Sequence, residues 1–277
     1  MAIALCYFSG TGNTELATRT LARCLAQYGL ETRTYSIPYF LNNEESEQPG
    51  RLYRELIAEC RTLVILYPVY AFDAPPNVHR FVRGLPHPGH SISFALLPVP
   101  CDPHWINSAA AFALKRRLRK KGYTFLREEL IVMPSNFLVA YPELFSRQLI
   151  AAARRKLHRT ARELAGGIFR TIKPHPAARL LRLLFKLEHL GDNLFGRDLR
   201  AGTECTLCGL CARRCPQGNI RLEAGLVRFG WRCIMCLRCV YRCPEGAIRP
   251  RIYRFVPLRG GYDPRRLPET SEEPAEE

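Results

Sequence analysis

Eight cysteines fall into two runs of one spacing. The first reads Cys205-x2-Cys208-x2-Cys211-x3-Cys215-Pro216, the second Cys233-x2-Cys236-x2-Cys239-x3-Cys243-Pro244. Displaced by 28 positions, the first lies on the second, with Gly218 on Gly246 and Ile220 on Ile248. The stretch is therefore an internal repeat. Four thiolates per run is the ligand count of a cubane [4Fe–4S] centre, and two-residue gaps let one tight loop wrap three of its corners. Structural zinc is satisfied by two Cys pairs and asks for neither a third Cys nor a Cys-Pro in each half. Disulfide frameworks belong to short secreted chains.

In runs of this spacing the fourth Cys ligates the other cluster. That assigns Cys205, Cys208, Cys211 and Cys243 to one [4Fe–4S] cluster, and Cys233, Cys236, Cys239 and Cys215 to the other. Each half lends a ligand to its twin, so the two clusters sit close together, as an electron relay requires.

A second constellation follows the first apolar segment: Ser9-Gly10-Thr11-Gly12-Asn13-Thr14-Glu15. Successive backbone N–H groups at a helix start bind phosphate. Ser9, Thr11 and Thr14 add hydroxyls, Gly10 and Gly12 permit a tight backbone, and Asn13 tolerates left-handed conformations. The stretch resembles the flavodoxin phosphate loop, which implies FMN. A rival reading takes Gly10-x-Gly12-x-x-Glu15 as part of a dinucleotide fingerprint, but Glu15 stands where the third glycine belongs. Hydroxyls also suit a terminal phosphate better than a bridging pyrophosphate.

The same resemblance implies a second flavin loop after the third strand, where the chain reads Pro68-Val69-Tyr70-Ala71-Phe72-Asp73. Backbone groups there would meet the ring edge, and Tyr70, then Phe72, is the ring expected to stack on it. The loop after the fourth strand, Pro98-Val99-Pro100-Cys101-Asp102-Pro103-His104-Trp105, departs from the flavodoxin pattern. Its three prolines remove three N–H donors. Trp105 is expected to pack on the protein body rather than close over the ring. Asn136 is expected at the ligand edge of the fifth strand.

These residues need a scaffold. Apolar strand-like runs at 3–8, 31–35, 62–67, 91–97 and 124–133 alternate with helical patterns at 13–28, 50–60, 76–84, 107–121 and 142–168. This is the βαβ rhythm of an α/β doubly wound parallel sheet, whose ligand sits beyond the carboxyl ends of the strands. An amphipathic stretch at 177–190 sets Leu180, Leu181, Leu184, Phe185 and Leu187 against Arg179, Arg182 and Lys186. It reads either as packing between two domains, the preferred reading, or as lying on a membrane surface. The boundaries read 1–170 for the sheet domain, 171–198 for a helical connector, 199–256 for a small α+β two-cluster ferredoxin-like domain, and 257–277 for a Pro- and Glu-rich disordered tail.

Composition narrows the class. The 277 residues hold twelve Cys and carry a net charge of +16. Cys6, Cys24, Cys60 and Cys101 fall outside the runs and are expected as buried thiols, which fits a reducing cytoplasm. No apolar run is long enough to span a bilayer, so membrane contact, if any, is peripheral. Between 201 and 250 stand eight Arg, no Lys and three Glu. Such a surface attracts an acidic electron carrier of ferredoxin or flavodoxin type, with Arg238 and Arg242 expected on the docking face. A reductase is the other partner expected; with no recognition motif, nucleic acid is not.

The order of parts resembles a family of flavodoxin–ferredoxin fusion proteins known mainly from anaerobic bacteria. The resemblance implies an electron-transfer iron–sulfur flavoprotein holding FMN and two [4Fe–4S] clusters. The alternative is a flavin-dependent reductase of a small oxidised substrate, its pocket shaped by the loop at 98–105.

Overall fold

The computed structural model describes residues 2–42, 50–102, 104–184 and 188–266. Pro103, Phe185, Lys186, Leu187 and the tail from 267 lie outside the described residues. Five parallel strands, β1 (Ala2–Tyr7), β2 (Thr32–Ser36), β3 (Cys60–Pro68), β4 (Ser93–Val99) and β5 (Thr124–Glu128), form one sheet in the order β2-β1-β3-β4-β5. That is the flavodoxin-like doubly wound order, with its switch point between β1 and β3.

The inner strands are covered on both faces, so they read as nearly continuous apolar runs. On β3, Leu63, Ile65 and Tyr67 point to one layer and Val64 and Leu66 to the other. The first layer is built from α2 (Ile37–Asn42), α3 (Arg51–Glu59), α4 (Pro76–Gly84) and α5 (Phe112–Lys120). The second is built from α1 (Asn13–Gln27) and α6 (Glu143–Ala165).

β5 stops at Glu128 rather than running to Met133. Glu129, Ile131 and Met133 still donate to the carbonyls of Leu96, Pro98 and Pro100. Pro98 and Pro100 have no N–H to return, so the ladder is one-sided and regular pairing ends. The chain before α5 is a series of turns from 104 to 111, so the helix starts five residues later than its pattern suggests.

The connector forms α7 (Pro176–Leu184) and α8 (Glu188–Asp198). The packing expected of α7 does not hold: Leu180, Leu183 and Leu184 face outward, and Ala178 is its buried residue. Arg182 turns inward instead, 3.0 Å from the Asp73 carboxylate.

Beyond α8 the repeat is visible in the backbone. α9 (Leu210–Arg213) and α10 (Arg238–Tyr241) are one repeat apart, as are the left-handed pairs Leu207 and Met235, Gly209 and Leu237, and Gly218 and Gly246. β6 (Leu199–Ala201) pairs antiparallel with β9 (Ile248–Pro250), and β7 (Ile220–Glu223) with β8 (Leu226–Phe229). A small core of Phe195, Leu199, Ile220, Phe229, Leu237, Ile248 and Val256 supports the thiols. Residues 257–266 correct the expected tail: Leu258 N–H donates to the Tyr241 hydroxyl at 2.8 Å, Pro264 is buried, and Pro264–Arg266 form a 3-10 turn.

Candidate functional site between the two modules

The carboxyl ends of β1, β3, β4 and β5 face the second Cys run across a cavity of about 230 Å³. From the sheet side come Thr11, Val69, Tyr70, Ala71, Phe72, Asp102, Asn107, Asn136, Phe137 and Leu138; from the other side come Asp192 of α8 and Ile234, Met235, Cys236 and Leu237. The Cys loop is thus one wall of the switch-point pocket. Ile234 is buried in the sheet domain's own core, and Cys236 packs against it.

Ser9, Thr11, Asn13 and Thr14 are all buried. Gly12 N–H donates to the Ser9 hydroxyl at 3.1 Å, and the Asn136 amide donates to the Thr11 hydroxyl at 2.5 Å. Gly12 has φ +124, a conformation that L side chains rarely adopt. A Cβ on Gly10 would stand 2.5 Å from the Cys236 carbonyl oxygen and 2.9 Å from the Tyr70 hydroxyl. The loop therefore requires glycine there for contact with the Cys run. Of the phosphate-loop residues Thr11 alone lines the cavity. Gly12 and Asn13 run beneath a strap at 262–264, where Tyr262 donates to Asn13 Oδ1 at 2.5 Å and Pro264 lies over Gly12.

The second loop closes tightly. Tyr70 and Asp73 exchange backbone hydrogen bonds at 3.0 and 2.9 Å, with Ala71 (φ 50) and Phe72 (φ 58) both left-handed. Such a conformation in non-glycine residues costs about 1–3 kcal/mol each and gathers at functional sites. Asp73 holds the turn, accepting from Ala74 N–H at 2.8 Å while paired with Arg182. Burial pushes the Tyr70 phenol up, with the Cys236 sulfur acting in the same sense, so the hydroxyl keeps its proton. Pro68 does not line the cavity. Neither does Trp105, which is exposed and meets His175 edge-on rather than packing into the body or covering the pocket.

The thiols sort by environment. Cys215, Cys233, Cys236 and Cys239 are electrostatic neighbours of one another; Cys211 has Cys205 and Cys243 as its neighbours, and also neighbours Cys239. Burial pushes the Cys233 thiol up to about 12 and raises Cys236 and Cys239. An iron centre supplies the positive charge that makes such thiols thiolates. Backbone N–H groups of Asn219 and Met235 point at the sulfurs of Cys215 and Cys233, each at 3.3 Å. Cys208, by contrast, is exposed. Among the described residues no three Cys, His, Asp or Glu converge on a single ion; a cubane spreads its thiolates wider than one ion does.

The expected docking face at Arg238 and Arg242 is corrected. Arg238 lies between the modules, donating to the Ser9 carbonyl and, at 3.2 Å, to that of Arg214, with its guanidinium 5.6 Å from the Phe8 ring. Arg242 pairs with Asp263 of the strap at 3.6 Å. Cys6, Cys24 and Cys60 are buried as expected, whereas Cys101 is partly exposed.

The cavity residues suit a flavin: apolar walls, a few polar groups and the Thr11 hydroxyl at its rim. At about 230 Å³ it is smaller than the ~300–1,000 Å³ usual for ligand pockets. Met235, unbranched, is the wall residue best able to yield. Sequence reasoning missed the walls from the Cys run and α8, and the strap. One signal was present: Ile234 stands where the first run has Thr206, an apolar residue needing cover.

The 4Fe-4S dicluster domain family model matches residues 197–244. No curated protein matches the chain. Among solved structures, an NAD(P)H:quinone oxidoreductase from Methanothermobacter marburgensis is similar at TM-score 0.46 and 13% identity, over 59% of this chain and 96% of that one. General stress protein 14 from Treponema denticola, solved in complex with FMN, is similar at TM-score 0.39 and 14% identity, over 60% and 98%. A flavodoxin from the domain Archaea is similar at TM-score 0.38 and 11% identity, over 59% and 99%. At such low scores the fold rests on strand order rather than on these neighbours. The chain joins a flavodoxin-like domain to a 4Fe-4S dicluster domain.

Proposed function

We propose that the chain is an electron-transfer iron–sulfur flavoprotein. In this reading Cys205, Cys208, Cys211 and Cys243 hold one [4Fe–4S] cluster, Cys233, Cys236, Cys239 and Cys215 the other, and FMN lies in the cavity between the modules. The observation that carries it is the shared wall: the pocket at the flavodoxin switch point is closed by the loop from Ile234 to Leu237. Clusters exchange single electrons and a flavin one or two, so the bound groups would couple one-electron carriers to a two-electron acceptor.

The residues have distinct tasks. Cys236 and Gly10, in contact through the Cys236 carbonyl, hold the cluster loop against the phosphate loop. Arg238 fixes both by donating to Ser9 and Arg214. Thr11, Thr14 and the backbone of 10–14 bind phosphate, while the strained turn at 70–73 presents Tyr70 and Phe72 to the ring. Cys208, exposed among Leu207 and Leu222, is the point of contact for a soluble carrier in a reducing cytoplasm. The reductase reading would require an open flavin face; the Cys loop occupies that side and Trp105 faces away, which favours electron transfer.

The test is anaerobic purification with absorption spectra and iron, sulfide and flavin assays. Two four-iron clusters and one FMN per chain are expected. Thr11→Ala with Thr14→Ala should release flavin and leave iron in place. Retention of iron with no affinity for FMN in the parent protein would sink the reading.

A further inference from the structure

α7 turns an apolar face to solvent. Leu180 lies about one helical turn from Leu183 and Leu184, and each is 57–60% exposed. The helix is held from behind by Ala178 and by Arg182 on Asp73, so the outward face is fixed by the fold.

The described helices around it are cationic. α4, α5 and α7 hold no Asp or Glu, while α5 alone supplies Lys115, Arg116, Arg117, Arg119 and Lys120. Ring contacts make it one face. The guanidinium groups of Arg179 and Arg182 lie 5.7 and 5.6 Å from the exposed Phe112 ring at the start of α5. Lys115 and Arg119 lie over Phe125, which packs on the exposed Phe169 at 5.5 Å. Trp105, 53% exposed, sits at the N-terminal end of α7 through its contact with His175. Among the described residues, the carboxylates paired with cations of α5 and α7 are Asp73 with Arg182 and Glu128 with Lys115, and both are largely buried.

We propose that this face docks on an anionic phospholipid surface. α7 lies in the interfacial plane, its leucines at the acyl boundary, Trp105 and Phe112 at headgroup depth, and the α5 cations on the lipid phosphates. Positive charge alone would suit any acidic partner. A leucine stripe beside an aromatic pair and an acid-free cationic rim is the composition of an interfacial helix. Among the described residues no helix is long and apolar enough to cross a membrane, so the contact is peripheral.

The test is flotation of the full-length holoprotein with vesicles of phosphatidylcholine alone or mixed equally with phosphatidylglycerol. Binding should be at least ~10-fold stronger to the anionic vesicles and fall as salt rises. Replacing Leu180, Leu183 and Leu184 together by Gln, or Arg116 and Arg119 together by Glu, should weaken it by ~10-fold or more, since both apolar burial and charge contribute. Iron content, flavin content and unfolding temperature should match the parent. In a Trp231→Phe background, Trp105 emission should shift to the blue with anionic vesicles. Equal binding to neutral vesicles, absence of vesicle binding, or undiminished binding by the leucine variant would each overturn the proposal. The last outcome would leave charge attraction alone, as to an acidic protein.

Discussion

Gly10→Ala is the sharpest probe of the contact between the modules. The backbone at Gly10 is not left-handed, so alanine adds a methyl group and no conformational strain. That methyl would lie 2.5 Å from the Cys236 carbonyl oxygen, where ordinary contact begins at 3.4 Å. The obstacle is backbone, so the loops must part by about 1 Å or distort, and overpacking of this kind costs ~1–3 kcal/mol. At ~1.4 kcal/mol per factor of ten, docking weakens roughly 5- to 150-fold. Thermal unfolding should fall by about 2–4 °C per kcal/mol. Iron content should be unchanged, because no Cys ligand moves within its own loop, while flavin reduction after the clusters are reduced should slow. Gly89→Ala, which meets open space, is the control. If Gly10→Ala matches that control in stability, flavin retention and flavin reduction, the modules are not in contact at this loop.

Cys215→Ala should damage the cluster held by Cys233, Cys236 and Cys239 and spare its sequence neighbours; magnetic resonance of the reduced protein distinguishes the two, and loss of the other cluster refutes crossed ligation. Tyr262→Phe removes the strap's hydrogen bond to Asn13, worth ~0.5–1.5 kcal/mol, and should weaken FMN binding by about 2- to 10-fold in a flavin titration. The hydrogen bond from Arg265 holds the Asp263 carboxyl below its ordinary 3.8, so its contribution is present above that value and lost as pH falls through the lowered one; strap release on acidification should vanish in Asp263→Asn. Electron transfer from a reduced acidic ferredoxin should slow steeply with ionic strength. Reversing Arg221 and Arg228 to Glu should flatten that dependence, and a rate indifferent to both would exclude docking there.

The scaffold was legible because its inner strands are buried on both faces and its loops carry special residues. The continuous apolar run of β3, the hydroxyls at 9–14 and the two Cys runs all follow from local chemistry. What was not legible depends on distant partners. Arg238 looks like a surface cation in a basic module until the Ser9 carbonyl and the Phe8 ring are set beside it. Arg182 and the leucines of α7 exchange their expected roles because one buried carboxylate, Asp73, outweighs an amphipathic pattern. The residues at 257–266 read as a Pro-rich tail, yet Tyr241 supplies an acceptor for Leu258 N–H, and Tyr262 finds Asn13. None of these pairings leaves a periodicity behind.

The two halves of the repeat diverge where their surroundings differ. At equivalent positions Thr206 and Leu207 flank an exposed Cys208, while Ile234 and Met235 flank a Cys236 set against the sheet domain. Burial disfavours the more negative, reduced cluster, whereas N–H groups on the sulfurs and a nearby cation favour it. The inner site has all three: buried thiols, N–H bonds to Cys215 and Cys233, and Arg238 beside Cys236. The outer site has an exposed Cys208, a partly buried Cys211 that takes backbone hydrogen bonds, and Arg213, whose guanidinium sits against Gly209. Arg221 and Arg228 face each other across β7 and β8, a like-charge pair that weakens the ribbon. Glu223 lies 3.8 Å from Arg221 and offsets part of that repulsion. Under the proposed electron-transfer reading, a negative partner on this ribbon would relieve the two arginines.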